Sequence, residues 1–295
     1  MSDAKLPVLR SVMAAYAFFI ANWRPILVAG LPYTAAYAVQ LWLLLGGAPE
    51  GVTTALGPLV WLIALFASVA LSAAALRMAI RGDYSGWLGL KLGRDEMRVF
   101  IASVLVSLLL IIVFTLVFLF WGTIFGTVAM GALERSGIDP ESAGMELTQA
   151  VNVMSMADTI AVVMAGIGCG AIVLWMAARL SLALPATIAM EKVQVMKAWP
   201  LSGGSGWRIA AALLLAGLPL ILLELGLYEL VSQVRGERLF DVSGLLDAES
   251  AALPGIALMR EYGLWMSLFS AINIPVFSGL YAYMYRNRTK APAQG

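Results

Sequence analysis

"VFIASVLVSLLLIIVFTLVFLFWGTIFGTVAMGAL" fills residues 99–133 and contains no Asp, Glu, Lys or Arg. As one straight α-helix it would measure about 52 Å at 1.5 Å per residue, against a hydrocarbon core of about 30 Å that about 20 apolar residues cross. A helix that is apolar around its whole circumference has lipid as its solvent. The excess length requires it to tilt, to break near Gly122 and Gly126, or to project from the membrane. The rest of the chain repeats the pattern: of 295 residues, 61% are hydrophobic and only 13% charged, with a mean hydropathy of +0.87. Charge-poor runs recur at 25–47, 56–76, 159–178, 209–228 (interrupted by Glu224 alone) and 262–285. Backbone groups in lipid must be paired within their own segment, and these runs are continuous rather than alternating, so they read as helices and not barrel strands. The expected fold is all-α: a polytopic membrane protein, one integral membrane domain over 1–295, built as a six-transmembrane-helix bundle with interfacial amphipathic helices.

Charge sorts by side. Fifteen of the 19 Lys and Arg fall in the N-terminus, the second and fourth connections and the C-terminal tail; only Arg135, Arg235, Arg238 and Arg260 fall on the other side. By the positive-inside bias both termini are cytoplasmic, which implies a multi-pass protein of the plasma (inner) membrane. Of the 18 acidic residues, 13 lie on the opposite side. Residues 1–24 carry Lys5 and Arg10 ahead of a short apolar stretch that leads straight into Arg24 without a small-residue cleavage site, so they are expected to form an interfacial helix anchored by Trp23 and Arg24 rather than a removed signal. Two connections on the acidic side are long. In 137–158, Asp139 and Pro140 form an N-cap and first-position signature for a short helix; 232–261, with Gly244, Pro254 and Gly255, reads as irregular.

The polar character of the second half concentrates in "ARLSLALPATIAMEKVQVMKAWPLSGGSGWR", residues 178–208. Arg179 lies about 32 Å along the fourth helix from Asp158, at headgroup level. Pro185 disfavours continuing the same helix, which turns the chain along the interface at 180–185. Ala189, Val193, Met196 and Trp199 then share one helical face and Glu191, Gln194 and Lys197 another. "PLSGGSG" breaks the chain before the fifth helix opens at Trp207. This series, an Arg ending helix four, "RLSLALPATIAME", an amphipathic segment, a Ser/Gly turn and "GWR", resembles the membrane domain found beside glycerophosphoryl diester phosphodiesterases and in stand-alone YciC-type uncharacterised integral membrane proteins. The resemblance implies the six-span layout and a membrane location, and implies no activity. The phosphodiesterase chemistry does not carry over, because that catalytic domain is a soluble barrel working through histidines and this chain has none.

The absence of His also removes His-type zinc sites, Ser-His and Cys-His nucleophiles and His-held haem. The single Cys169 cannot form an internal disulfide. Glu134, Asp139, Glu141 and Glu146 read as a charged surface rather than a carboxylate metal site. No catalytic, cofactor-binding or metal residue is assigned, and no cofactor and no nucleic-acid partner is expected. Arg179, Lys192, Lys197 and Arg208 are the candidate contacts to anionic lipid headgroups, with the "SGGSG" amides either joining them or forming only a turn. Asn273 is the candidate intramembrane polar contact, read as an interhelical hydrogen bond. The Gly122/Gly126 and Gly166/Gly170 pairs have the spacing that permits close helix approach, within the chain or to another subunit. "WRPILVAGLP" (23–32) and "WRIAAALLLAGLP" (207–219) are either a parallel duplication of hairpins or a coincidence of an Ala/Leu-rich chain. The expected function is a non-enzymatic accessory module that binds membrane lipids or a partner protein, possible homo-oligomer included; the alternative is a small-solute or lipid transporter.

Overall fold

A computed structural model of the chain describes residues 6–44, 49–91, 93–138, 151–235 and 256–289. The helices are α1 (Val8–Ala21), α2 (Trp23–Leu44), α3 (Glu50–Arg81), α4 (Arg94–Arg135), α5 (Met156–Leu180), α6 (Ala183–Met190), α7 (Ala198–Leu201), α8 (Gly206–Arg235) and α9 (Ile256–Thr289). Six helical spans are long and apolar enough to cross a membrane, and no named strand occurs among the described residues. The fold is an all-α polytopic bundle. Alternating direction brings Leu6 and Thr289 to the same end, called the basic end below.

α3, α4 and α5 outrun their charge-free cores, with terminal charges capped or paired rather than helix-breaking. α3 continues through Arg77 to Arg81 and closes on Gly82, whose φ of +69° suits a residue without Cβ. α4 opens with the Glu96 carboxylate accepting from the Gly93 amide at 3.0 Å. At the far end, Ser155 and Asp158 form a reciprocal cap on α5, and Asp158 also accepts from Arg135 at 2.6 Å, tying α4 to α5.

α4 runs 42 residues without interruption, about 63 Å of helix. Of the three ways to accommodate the long run, breakage at the glycines is the one not used. Hydrocarbon offers the backbone no alternative partner, so helix persists there in spite of glycine's entropic cost. A Cβ at Gly122 or Gly126 would meet nothing within 4 Å. Close approach is made instead at Gly166, where a Cβ would lie 3.1 Å from Trp121 Nε1, and that indole donates to the Val162 carbonyl at 3.2 Å.

α9 is the centre of the bundle, packed on α1, α2, α3 and α8. The two glycines of the repeated AGLP sequence both face it: Gly30 opposite Ala271 and Gly217 opposite Phe277. α4 and α5 form a hairpin at the periphery. The most apolar window of α4 has 0% of its residues buried, against 44% for α3 and for α9, so little of the described chain packs on the α4 midsection. α4 meets the rest of the bundle near the basic end, where Val99 packs with Val69, Ala73, Leu76 and Ile188 and Phe100 stacks on Phe66 at 5.1 Å.

α1 docks along α8 and α9. The Tyr16 hydroxyl donates to the Ala216 carbonyl at 2.6 Å, and Gly279 makes room for Phe18, since a Cβ there would lie 2.6 Å from the ring. Its outward stripe of Leu9, Met13, Ala17 and Ile20 is exposed and apolar.

The region after Arg179 differs from the sequence reading. The helix is interrupted at Ser181 and Leu182, and Pro185 falls in the first turn of α6, where a missing amide proton leaves no bond unmade. α6 does not lie along the surface: Ala183, Pro185, Ala186, Thr187 and Ile188 are buried against α3, α4 and α9. Residues 191–197 are turns rather than amphipathic helix. Glu191 adopts φ +53°, and the Thr187 hydroxyl takes the Gln194 amide at 3.2 Å, diverting the chain from helical pairing. The expected Asp139-capped helix falls largely on 139–150, and most of the 232–261 connection on 236–255; both stretches lie outside the described residues.

Candidate functional site at the basic end

Three structures gather at the basic end: a buried ion-pair network, a loop pinned by two arginines, and a rim of unpaired cations. The network starts at Arg77, which is 1% exposed and paired with Glu96, 6% exposed. Arg77 also reaches the Gly89 carbonyl at 3.4 Å. One helical turn on, Arg81 binds Asp95 at 2.8 Å and Glu191 at 3.3 Å and donates to the Ile188 carbonyl. Arg98 adds a second cation on Asp95 at 3.0 Å. The C-terminus of α3, the N-terminus of α4 and the end of α6 are thereby joined. Beside them the Tyr84 hydroxyl is shared between the Pro25 and Leu88 carbonyls at 3.0 and 3.2 Å, and burial pushes its pKa above the usual phenol value. Its ring covers Gly89, where a Cβ would lie 2.0 Å from a ring carbon.

The segment 199–206, the end of α7 and the turn at 202–205 that leads into α8, is held from both sides. Arg179 Nε donates to Ser202 Oγ at 3.1 Å and its Nη2 to the Trp199 carbonyl at 3.3 Å. Its guanidinium carbon lies 4.0 Å from the Trp199 ring centroid and 4.9 Å from that of Trp175, and the two rings meet edge to face at 5.9 Å. From α9, Arg288 donates to the Leu201 and Gly203 carbonyls at 2.8 and 2.7 Å and to Ser205 Oγ at 3.4 Å. The "SGGSG" stretch therefore offers carbonyls to the protein's own cations. Its Ser202, Gly203 and Ser205 amides are spent on local turn bonds.

Comparisons with family models, curated proteins and solved structures return no match.

Of the four predicted lipid contacts, the structure uses Arg179, at the end of α5, to pin the 199–206 segment, and leaves Lys192 and Lys197 exposed and Arg208 half-buried. Among the described residues none of Lys192, Lys197 and Arg208 has an ion-pair partner. Trp199 and Trp207 are exposed beside them, as Trp23 is at the start of α2, where Arg24 stacks on its ring at 5.2 Å. Asn273 stands apart on α9. Its Oδ1 is buried and has no hydrogen-bond partner among the described residues, so the interhelical bond expected of it is not made through that atom.

Sequence reasoning missed Arg77–Glu96 and Arg288. The signal for the first was present: Arg77 follows the apolar "AAAL" directly, a full turn before Arg81, and Asp95 and Glu96 are two of the few acids on the basic side. Arg288 carried no such signal, because what it binds is backbone. Among the described residues no three His, Cys, Asp or Glu side chains gather as a metal would require.

Proposed function

We propose that the protein is a non-enzymatic integral membrane module whose cytoplasmic face binds anionic lipid and serves membrane homeostasis as an accessory component. The observation that carries this reading is the group Lys192, Lys197 and Arg208, none of which has an ion-pair partner among the described residues, on either side of the turn that Arg179 and Arg288 hold. A basic rim beside exposed indoles matches an interface with anionic headgroups, where each cation contributes about 1 kcal/mol. In this reading Arg179 shapes the site more than it touches lipid. The proposed orientation, with both termini cytoplasmic, rests on the distribution of basic residues along the chain.

Purification in native membrane patches with identification of bound lipids and proteins tests the reading. Anionic lipid should be enriched over bulk, and Lys192→Gln/Lys197→Gln/Arg208→Gln should abolish the enrichment. Equal lipid composition in the triple variant would refute it. A second reading, a small-solute or lipid transporter, is favoured by the unpartnered Asn273 Oδ1 within an apolar bundle. A substrate-dependent flux in proteoliposomes, lost in Asn273→Leu, would move the balance to that reading.

A further inference from the structure

We infer that the basic end holds a discrete site for one anionic phospholipid, its acyl chain in a groove between α4 and residues 191–197 and its phosphate held by Lys192 and Lys197. The inference rests on the lipid-binding reading above and narrows it from a rim to a place. The groove has a volume of about 310 Å³ and is lined by Leu105, Leu108 and Leu109 of α4 and by residues 193–196. Its walls are apolar surface: Leu108 is 53% and Met196 74% exposed. Lys192 and Lys197 stand immediately before and after the 193–196 wall, both exposed.

The wall is built, not slack. Val195 is buried as its anchor, the Gln194 amide is fixed to Thr187 Oγ1, and the Lys197 and Ala198 amides close turns on the Gln194 and Val195 carbonyls at 3.2 Å. Glu191, at its start, is paired with Arg81. An amphipathic helix over 189–199 would have carried Lys192 toward its apolar edge; the turns place an apolar wall between two lysines instead.

An apolar groove in a bilayer accepts any acyl chain, so the groove alone selects nothing. Two lysines with no ion-pair partner among the described residues add the selection. A zwitterionic headgroup brings its own positive charge to them, whereas a phosphatidylglycerol headgroup brings a net negative one. The occupant that fits both features is an anionic phospholipid.

The experiment uses the full chain in phosphatidylcholine nanodiscs containing a minor fraction of phosphatidylglycerol with a photoreactive diazirine on its acyl chain. Labelled peptides should contain 105–109 or 193–197. Lys192→Gln/Lys197→Gln should weaken phosphatidylglycerol binding roughly 30-fold, the product of two surface cations. Leu108→Trp, which fills the groove on an exposed position and leaves both lysines in place, should abolish labelling of these peptides. Labels scattered over other helices and unaffected by Leu108→Trp, with binding still lost in the lysine variant, would overturn the groove while leaving the cationic rim standing. Binding unchanged in the lysine variant and in the same variant with Arg208→Gln added would overturn both.

Discussion

Arg77→Met should destabilise the folded protein by about 3–5 kcal/mol, and Arg77→Met combined with Glu96→Met should recover most of that loss. Arg77 and Glu96 are both almost fully buried, so removing the cation leaves a carboxylate with neither water nor a counter-charge. That stranded charge is the source of the penalty, more than the attraction of the pair itself. Replacing both partners by apolar side chains of similar length removes the desolvated charges together, which is why the double variant is expected to be near neutral. Glu96 also caps α4 through the Gly93 amide, so the recovery should fall short by about 1 kcal/mol. Arg81→Met gives the contrast: its side chain is 27% exposed, its partners are hydrated once released, and about 1 kcal/mol or less should be lost from the ion pairs. Reversible unfolding in detergent micelles of Arg77→Met, Glu96→Met and the Met–Met variant, analysed as a double-mutant cycle with Arg81→Met measured alongside, checks these values. Equal losses for Arg77→Met and the Met–Met variant would show that the pair does not close the basic end of the bundle.

How much of this was legible beforehand depends on where the cause lies. The six spans were readable because hydrocarbon imposes its demand residue by residue, on length and on charge, and a 35-residue apolar run such as 99–133 admits no other solvent. Their ends were less readable. A search for uncharged residues stops α3 at Leu76, yet the helix continues to Arg81 because Arg77 finds Glu96 across the bundle. The segment after Arg179 was misjudged for a similar reason. Its 3.6-residue pattern was real, but the Thr187 hydroxyl captures the Gln194 amide and Arg81 reaches Glu191, two contacts that no local pattern announces. Glycine spacing showed which positions permit close packing, not which receive a neighbour: Trp121 closes on Gly166, while Gly122 and Gly126 face outward. The division of the candidate cations into Arg179, engaged with the 199–206 segment, and Lys192 and Lys197, without an ion-pair partner among the described residues, depends on the meeting of Trp175 and Trp199 across a turn, which no local pattern shows.

Arg179→Lys should loosen the 199–206 loop while leaving its charge in place. The guanidinium lies 4.0 Å from the Trp199 ring centroid and 4.9 Å from that of Trp175, and being planar it donates through Nε and Nη2 to Ser202 and Trp199 at the same time. An ammonium is a point charge on a flexible stem and cannot do both. A cation–π contact contributes about 0.5–2 kcal/mol and a charged hydrogen bond about 1.5–3 kcal/mol. With part of each retained by Lys, a net loss of about 2 kcal/mol follows, read as a roughly 30-fold faster amide exchange at Ser202 and Gly203 through local opening. Ser202 is buried and its hydroxyl also donates to the Trp199 carbonyl at 3.0 Å, so Ser202→Ala should reproduce part of the effect with no change of charge. Phosphatidylglycerol binding should change far less than in the lysine variant, because the turns that carry Lys192 are fixed by Thr187 and Arg81 and only Lys197 adjoins the pinned segment. If Arg179→Lys left loop exchange at the wild-type rate and only Arg179→Gln raised it, charge alone would be what Arg179 supplies. The residue would then return to the lipid-binding rim, and Arg288 would remain as the loop's one established clamp.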